Sequence, residues 1–112
     1  MLNSFKYALR GIRILITTQR NARIHLIATI TVLGAGLYFG ITPVEWCLLV
    51  LAMGAVWTAE ALNTSLETVV DMVSPEIHTL AAKAKDVAAG AVLISAISSA
   101  VIGILIFGRY LF

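Results

Sequence analysis

Residues 46–71 read WCLLVLAMGAVWTAEALNTSLETVVD. The first 14 of them, residues 46–59, are apolar or small. As helix they rise about 21 Å, short of the roughly 30 Å hydrocarbon core of a bilayer. A complete crossing must therefore carry Glu60 and Asn63 into or near the hydrocarbon. An ionisable side chain there is costly and marks a functional position. The competing reading leaves Glu60 at the interface of a short, tilted helix. Against it, Leu62, Leu66, Val69 and Val70 continue the apolar pattern beyond Glu60.

Outward from this stretch, the chain has the composition of a membrane protein. Of its 112 residues, 60% are hydrophobic and 12% charged, and the mean hydropathy is +0.95. That excludes a disordered chain and argues against a soluble enzyme, since so small a protein has too little interior to hide its apolar surface. Residues 24–41, interrupted by His25, and residues 87–107, without a charge, complete three spans. Residues 1–22 do not read as a signal peptide. Leu2, Phe5, Leu9, Ile12 and Ile16 recur at three- and four-residue steps, flanked by Lys6, Arg10 and Arg13. This pattern predicts an amphipathic interfacial helix, with a solvated basic tail as the plainer alternative. The expected fold is an all-α membrane protein, one domain over residues 1–112, with an interfacial helix and three transmembrane helices.

The connections are short. Thr42-Pro43-Val44-Glu45 predicts a helix start with a capping box. Ser74-Pro75-Glu76 predicts the start of the next helix. Helices bounded by these caps each exceed 30 residues and project beyond the bilayer as an antiparallel pair joined near Ser74. Five basic and no acidic residues lie in the first 23, and Lys83 and Lys85 follow the second connection. The positive-inside rule therefore puts the N-terminus and that connection in the cytoplasm and the Thr42–Glu45 turn outside, with Arg109 an exception on the outer side. Trp46 and Tyr38 suit an outer aromatic belt, and Tyr110 joins it only on the same face. The lone Cys47 is expected to be a small packing residue. Gly34, Gly36 and Gly40 are expected to let helices approach closely.

Glu60, Asn63, Glu67 and Asp71 are spaced +3, +4 and +4, within about 80° of one another on a helix. Three carboxylates on one face need a positive partner. Mg²⁺ with nucleotide phosphates would supply it, since that ion prefers hard oxygen ligands. Counting from Ser74, Glu67 lies about 10 Å along one helix, Lys85 about 16 Å along the next, and Glu60 about 21 Å down. Lys85 is then expected at a height between the upper acids and Glu60. A phosphoryl-transfer site follows, with Glu67 and Asp71 on the metal, Lys85 on phosphate oxygens, and Glu60 at an acceptor hydroxyl oriented with Asn63. The plainer alternative is a packing cluster in which Lys85 pairs with Glu67 or Asp71. A different class also fits, a non-enzymatic channel or proton-coupled carrier titrating Glu60. No Walker or kinase glycine loop is present, and His25 and His78 are expected too far apart to share a metal. No nucleic-acid partner is expected.

The run Ala59-Glu60-Ala61-Leu62-Asn63-Thr64-Ser65-Leu66-Glu67-Thr68-Val69-Val70-Asp71, followed by Ala84-Lys85-Asp86, resembles the prokaryotic diacylglycerol kinase and undecaprenol kinase family. The resemblance covers nearly the whole chain. It implies a homotrimer in the cytoplasmic (inner) membrane that transfers the γ-phosphate of MgATP to a lipid alcohol. It implies Glu60 as catalytic base with Asn63 beside it, and Glu67 as the metal- and nucleotide-binding acid followed by Asp71. It further implies nucleotide contacts at Tyr7, Gln19, Glu76, Ile77, His78, Lys85 and Asp86. Arg13, Trp46, Glu60 and Ala89 fall where the family lines its lipid site. One position departs: Gln19 stands where the family commonly has an acid, and its amide offers Mg²⁺ a neutral oxygen. Arg20-Asn21 with His25, Glu45-Trp46 and Ala88-Ala89-Gly90-Ala91 look more like the undecaprenol-using branch.

Overall fold

The computed structural model describes every residue except Ile77. Four helices follow in order: α1 (Leu2–Thr18), α2 (Arg20–Phe39), α3 (Pro43–Val73) and α4 (Thr79–Leu111). The last three are long and apolar enough to cross a membrane. Their 20, 31 and 33 residues correspond to about 30, 46 and 50 Å of helix. The expected fold class is therefore found, including the two helices that outrun the bilayer core.

The start of α3 is built as its sequence predicts. The Glu45 N–H donates to Thr42 Oγ1 at 3.2 Å, and the Thr42 N–H donates to Glu45 Oε1 at 2.9 Å. The chain reaches this cap through a tight exit from α2. Gly40 sits at φ 61°, ψ 52°, and the Ile41 N–H donates to the Gly36 carbonyl at 3.2 Å. That is the left-handed helix terminus for which glycine is preferred.

Two helix boundaries differ from expectation. The predicted 1–22 helix ends at Thr18, and Gln19, at φ −106° and ψ 119°, separates α1 from α2. Thr17 and Thr18 hydroxyls donate to the carbonyls of Arg13 and Ile14, a back-bonding pattern that bends helices. Arg23 Nη1 caps the exposed Thr17 carbonyl at 3.1 Å. The second difference lies at Ser74, which ends α3 rather than starting α4. Its N–H donates to the Val70 carbonyl at 2.8 Å, and Pro75 disfavours helical backbone at the residue before it. The cap of α4 is His78, whose Nδ1 accepts from the Leu80 N–H at 3.1 Å.

Helices α3 and α4 form the main packed pair, with α2 against α3. The buried core, Ile41, Leu49 and Ile106, lies toward the Thr42 end, with Phe39, Trp46 and Phe107 around it. Gly36 is needed there: a Cβ on it would stand 2.6 Å from the Trp46 ring. Gly34 has nothing within 4 Å of such a Cβ and Gly40 serves the turn, so of the three glycines only Gly36 mediates a close approach. Cys47 is exposed on this chain rather than packed. Arg109 and Tyr110 both bond Glu45, at 2.9 and 2.5 Å. This accounts for a cation at the end of α4 and brings Tyr110 to the Trp46 end of the molecule.

Candidate active site

The polar stripe of α3 points inward at its middle and outward at its end. Glu60 is 1% exposed and Asn63 9%; Glu67 is half-buried and Asp71 exposed. Asn63 Nδ2 donates to Glu67 Oε1 at 3.3 Å. Glu60 Oε2, Asn63 Oδ1 and Thr64 Oγ1 are buried without a hydrogen-bond partner. An unpartnered buried polar atom costs about 1–3 kcal/mol, so three along one stripe are more than packing of α3 alone would call for.

Lys85 does not occupy the height expected for it. It forms an ion pair with Asp71, both side chains partly exposed. Because α4 begins at Thr79 rather than near Ser74, Lys85 is only six residues into its helix, about 9 Å. It is therefore level with the upper acid and well above Glu60. The same pair belongs to a cleft of about 170 Å³ that also gathers Ser74, Glu76 and His78. Ile77 lies outside the described residues. Asp86 is exposed on the next position of α4 and does not line the cleft.

The other candidates are dispersed in the single chain. Gln19 is half-buried at the junction of α1 and α2. Tyr7 and Arg13 are exposed on α1, where the Arg10 guanidinium stacks 5.5 Å from the Tyr7 ring centroid. Ala89 is exposed on α4. Trp46 stands fourteen residues before Glu60 on α3, about 21 Å away along the axis. The structure does not bring Trp46 to the Glu60 end.

One neighbour of Glu60 was not singled out from the sequence. His25 Nε2 lies 3.7 Å from Glu60 Oε2, across the α2–α3 contact. Its signal was present: it is the one basic residue, with no acidic one, in the apolar span of residues 24–41, and the reasoning that singled out Glu60 applies equally to it. From His25 an apolar groove of about 640 Å³ runs between α2, α3 and α4, past Thr29, Val56 and Ser99 to Phe107 and Leu111.

No three His, Cys, Asp or Glu side chains converge into a metal-holding group among the described residues. Glu67 and Asp71 nevertheless lie one turn apart on the same face. Mg²⁺ is commonly held by one or two carboxylates together with substrate phosphates, so this pair fits an ion that arrives with a nucleotide.

The model of the prokaryotic diacylglycerol kinase family matches residues 6–107. The chain belongs to this family. Membership makes it a membrane lipid kinase, as the motif from Glu60 to Asp71 implied. The undecaprenol kinase of Bacillus subtilis is 41% identical over 104 residues, covering 93% of this chain and 85% of that protein. A diacylglycerol kinase of Synechocystis is also 41% identical over 104 residues, covering 92% and 59%. The Haemophilus influenzae diacylglycerol kinase is 30% identical over 95 residues, covering 85% and 80%.

Proposed function

We propose that this lipid kinase transfers the γ-phosphate of ATP, with Mg²⁺, to the hydroxyl of undecaprenol, giving undecaprenyl phosphate. Diacylglycerol, which would give phosphatidic acid, is the competing acceptor. The observation that carries the reading is the vertical order along α3 and α4: a buried Glu60 and Asn63 lie below a half-buried Glu67, and the Asp71–Lys85 pair stands at an open cleft above.

In this reading the nucleotide enters at the cleft beside Lys85, Glu76 and His78, with Tyr7, Gln19 and Asp86 as further contacts. Glu67 and Asp71 would hold Mg²⁺, which offsets the charge on the phosphate oxygens. Lys85 leaves Asp71 to meet those oxygens as a compact positive charge. The acceptor hydroxyl reaches Glu60 from the lipid. Its oxygen bonds the γ-phosphorus as the bond to the β–γ bridging oxygen breaks, ADP leaves with that electron pair, and Glu60 takes the hydroxyl proton. The tail follows the apolar groove that begins at His25. Arg13 and Ala89 would flank the lipid at the level of the reaction, and Trp46 would meet only its distal part.

The dispersal of Tyr7, Arg13, Gln19 and Ala89 away from Glu60 in the single chain supports an assembly, a homotrimer in this proposal, in which neighbouring chains complete the site. Charge bias supports a cytoplasmic N-terminus and cleft, placing the site at the inner face of the cytoplasmic membrane. Purified protein in mixed micelles with γ-labelled ATP, Mg²⁺ and each lipid in parallel tests the proposal. Label is expected in undecaprenyl phosphate above phosphatidic acid. Transfer to neither lipid, or nucleotide-independent proton flux titrating Glu60, would refute it.

A further inference from the structure

Glu60 Oε2 is buried within the bundle and accepts no hydrogen bond. Among the described residues, the basic group within ion-pairing distance of it is His25, at 3.7 Å, with its side chain 19% exposed. The two residues come from different helices, and the contact between those helices is braced beside them. Thr29 Oγ1 donates to the His25 carbonyl at 2.7 Å and accepts from Trp57 Nε1 at 3.0 Å. The Trp57 ring meets the His25 ring edge-on, 6.4 Å between centroids. Trp57 precedes Glu60 by three residues, so the brace and the carboxylate share one face of α3.

We propose that His25 is a positioning residue for Glu60: its Nε2–H holds Oε2 and leaves Oε1 free to take the proton of the acceptor hydroxyl. This rests on the kinase reading above for its catalytic consequence, but the contact itself does not. The 3.7 Å separation is longer than a hydrogen bond. Catalytic hydrogen bonds are often long before substrate binds and tighten in the complex. A carboxylate rotating freely in an apolar setting would present its lone pairs to the hydroxyl only part of the time. Held at one oxygen it is preorganised, and a misplacement of about 1 Å in a reacting group can cost about 10²-fold in rate.

Two substitutions separate positioning from packing. His25→Phe keeps a ring against Trp57 but removes the donor; His25→Gln keeps an N–H donor and gives up the ring. With positioning, His25→Phe lowers kcat by about tenfold or more with KM for ATP little changed, and His25→Gln recovers most of kcat. With packing alone the order reverses. Full kcat in His25→Phe, or His25→Gln no better than His25→Phe, overturns the proposal. Should His25→Phe fail to assemble, His25→Leu repeats the donor deletion. Infrared difference spectra against Glu60→Gln identify the Glu60 carboxyl band independently of turnover. That band is expected to shift in His25→Phe and to stay near its original position in His25→Gln. An unmoved band in His25→Phe overturns the contact, whereas an inactive wild-type protein with a shifted band overturns the kinase reading and leaves the contact standing.

Discussion

Gly36 and Trp46 touch where α2 and α3 meet at the Thr42 end of the bundle, so closely that a Cβ on Gly36 would lie 2.6 Å from the indole Cη2 and 2.8 Å from Cζ2. The Ile41 side chain closes a third side at 3.2 Å. Neither the ring nor the α2 backbone can yield without disturbing the core around Leu49. Gly36→Ala is therefore expected to destabilise the protein by about 1–3 kcal/mol, as overpacking does. Thermal unfolding in detergent checks this, with Gly34→Ala, which meets nothing, as the control for the gain of about 0.5–1 kcal/mol that alanine brings to a helix interior.

At the same end, Thr42 caps α3 through the Glu45 N–H. Thr42→Ala is expected to cost about 0.5–2 kcal/mol. Because the cap is remote from Glu60, the rate per folded molecule should stay at the wild-type level, which combined unfolding and transfer assays would measure.

Glu60→Gln keeps shape and removes the base. A drop in kcat of about 10²–10⁴-fold is expected, with ATP binding retained. Equal loss of ATP binding would mean that Glu60 serves the fold instead.

The Lys85–Asp71 pair is partly exposed, and such pairs contribute about 0–1 kcal/mol to stability. Lys85→Met should therefore leave the unfolding temperature nearly unchanged while raising KM for ATP. A large loss of stability with unchanged KM would make the pair a packing feature.

Gln19→Glu adds a charged oxygen at the α1–α2 junction. If Gln19 approaches the metal, the substitution should lower the Mg²⁺ concentration giving half-maximal rate several-fold, since added ligand charge strengthens binding. A titration curve that does not move would exclude Gln19 from the metal's surroundings.

Local chemistry was legible along the chain wherever one segment suffices. The Thr42 cap, the long α3 and α4, and the stripe from Glu60 to Asp71 all follow from spacing within about four residues or from hydropathy over about twenty. The breaks at Gln19 and Ser74 depart from the expected boundaries for local reasons too. Paired threonines close α1 just past Ile16, the last residue of its apolar stripe, and Pro75 helps end α3 at Val73, with five residues between it and the start of α4 at Thr79. That short offset moved Lys85 up beside Asp71 and away from Glu60.

The sequence alone determined that three helices enter a membrane, that one carries acids on a single face, and to which kinase family such a face is similar. Backbone hydrogen bonds unsatisfied in lipid leave a long apolar segment little choice but helix. Only the tertiary structure decided which side chains meet across helices: Trp46 over Gly36, Arg109 and Tyr110 on Glu45, Lys85 on Asp71, His25 on Glu60. Those contacts depend on how each helix is rotated and staggered against its neighbour, and that is set by packing summed over the whole interface, which no stretch of sequence read by itself contains.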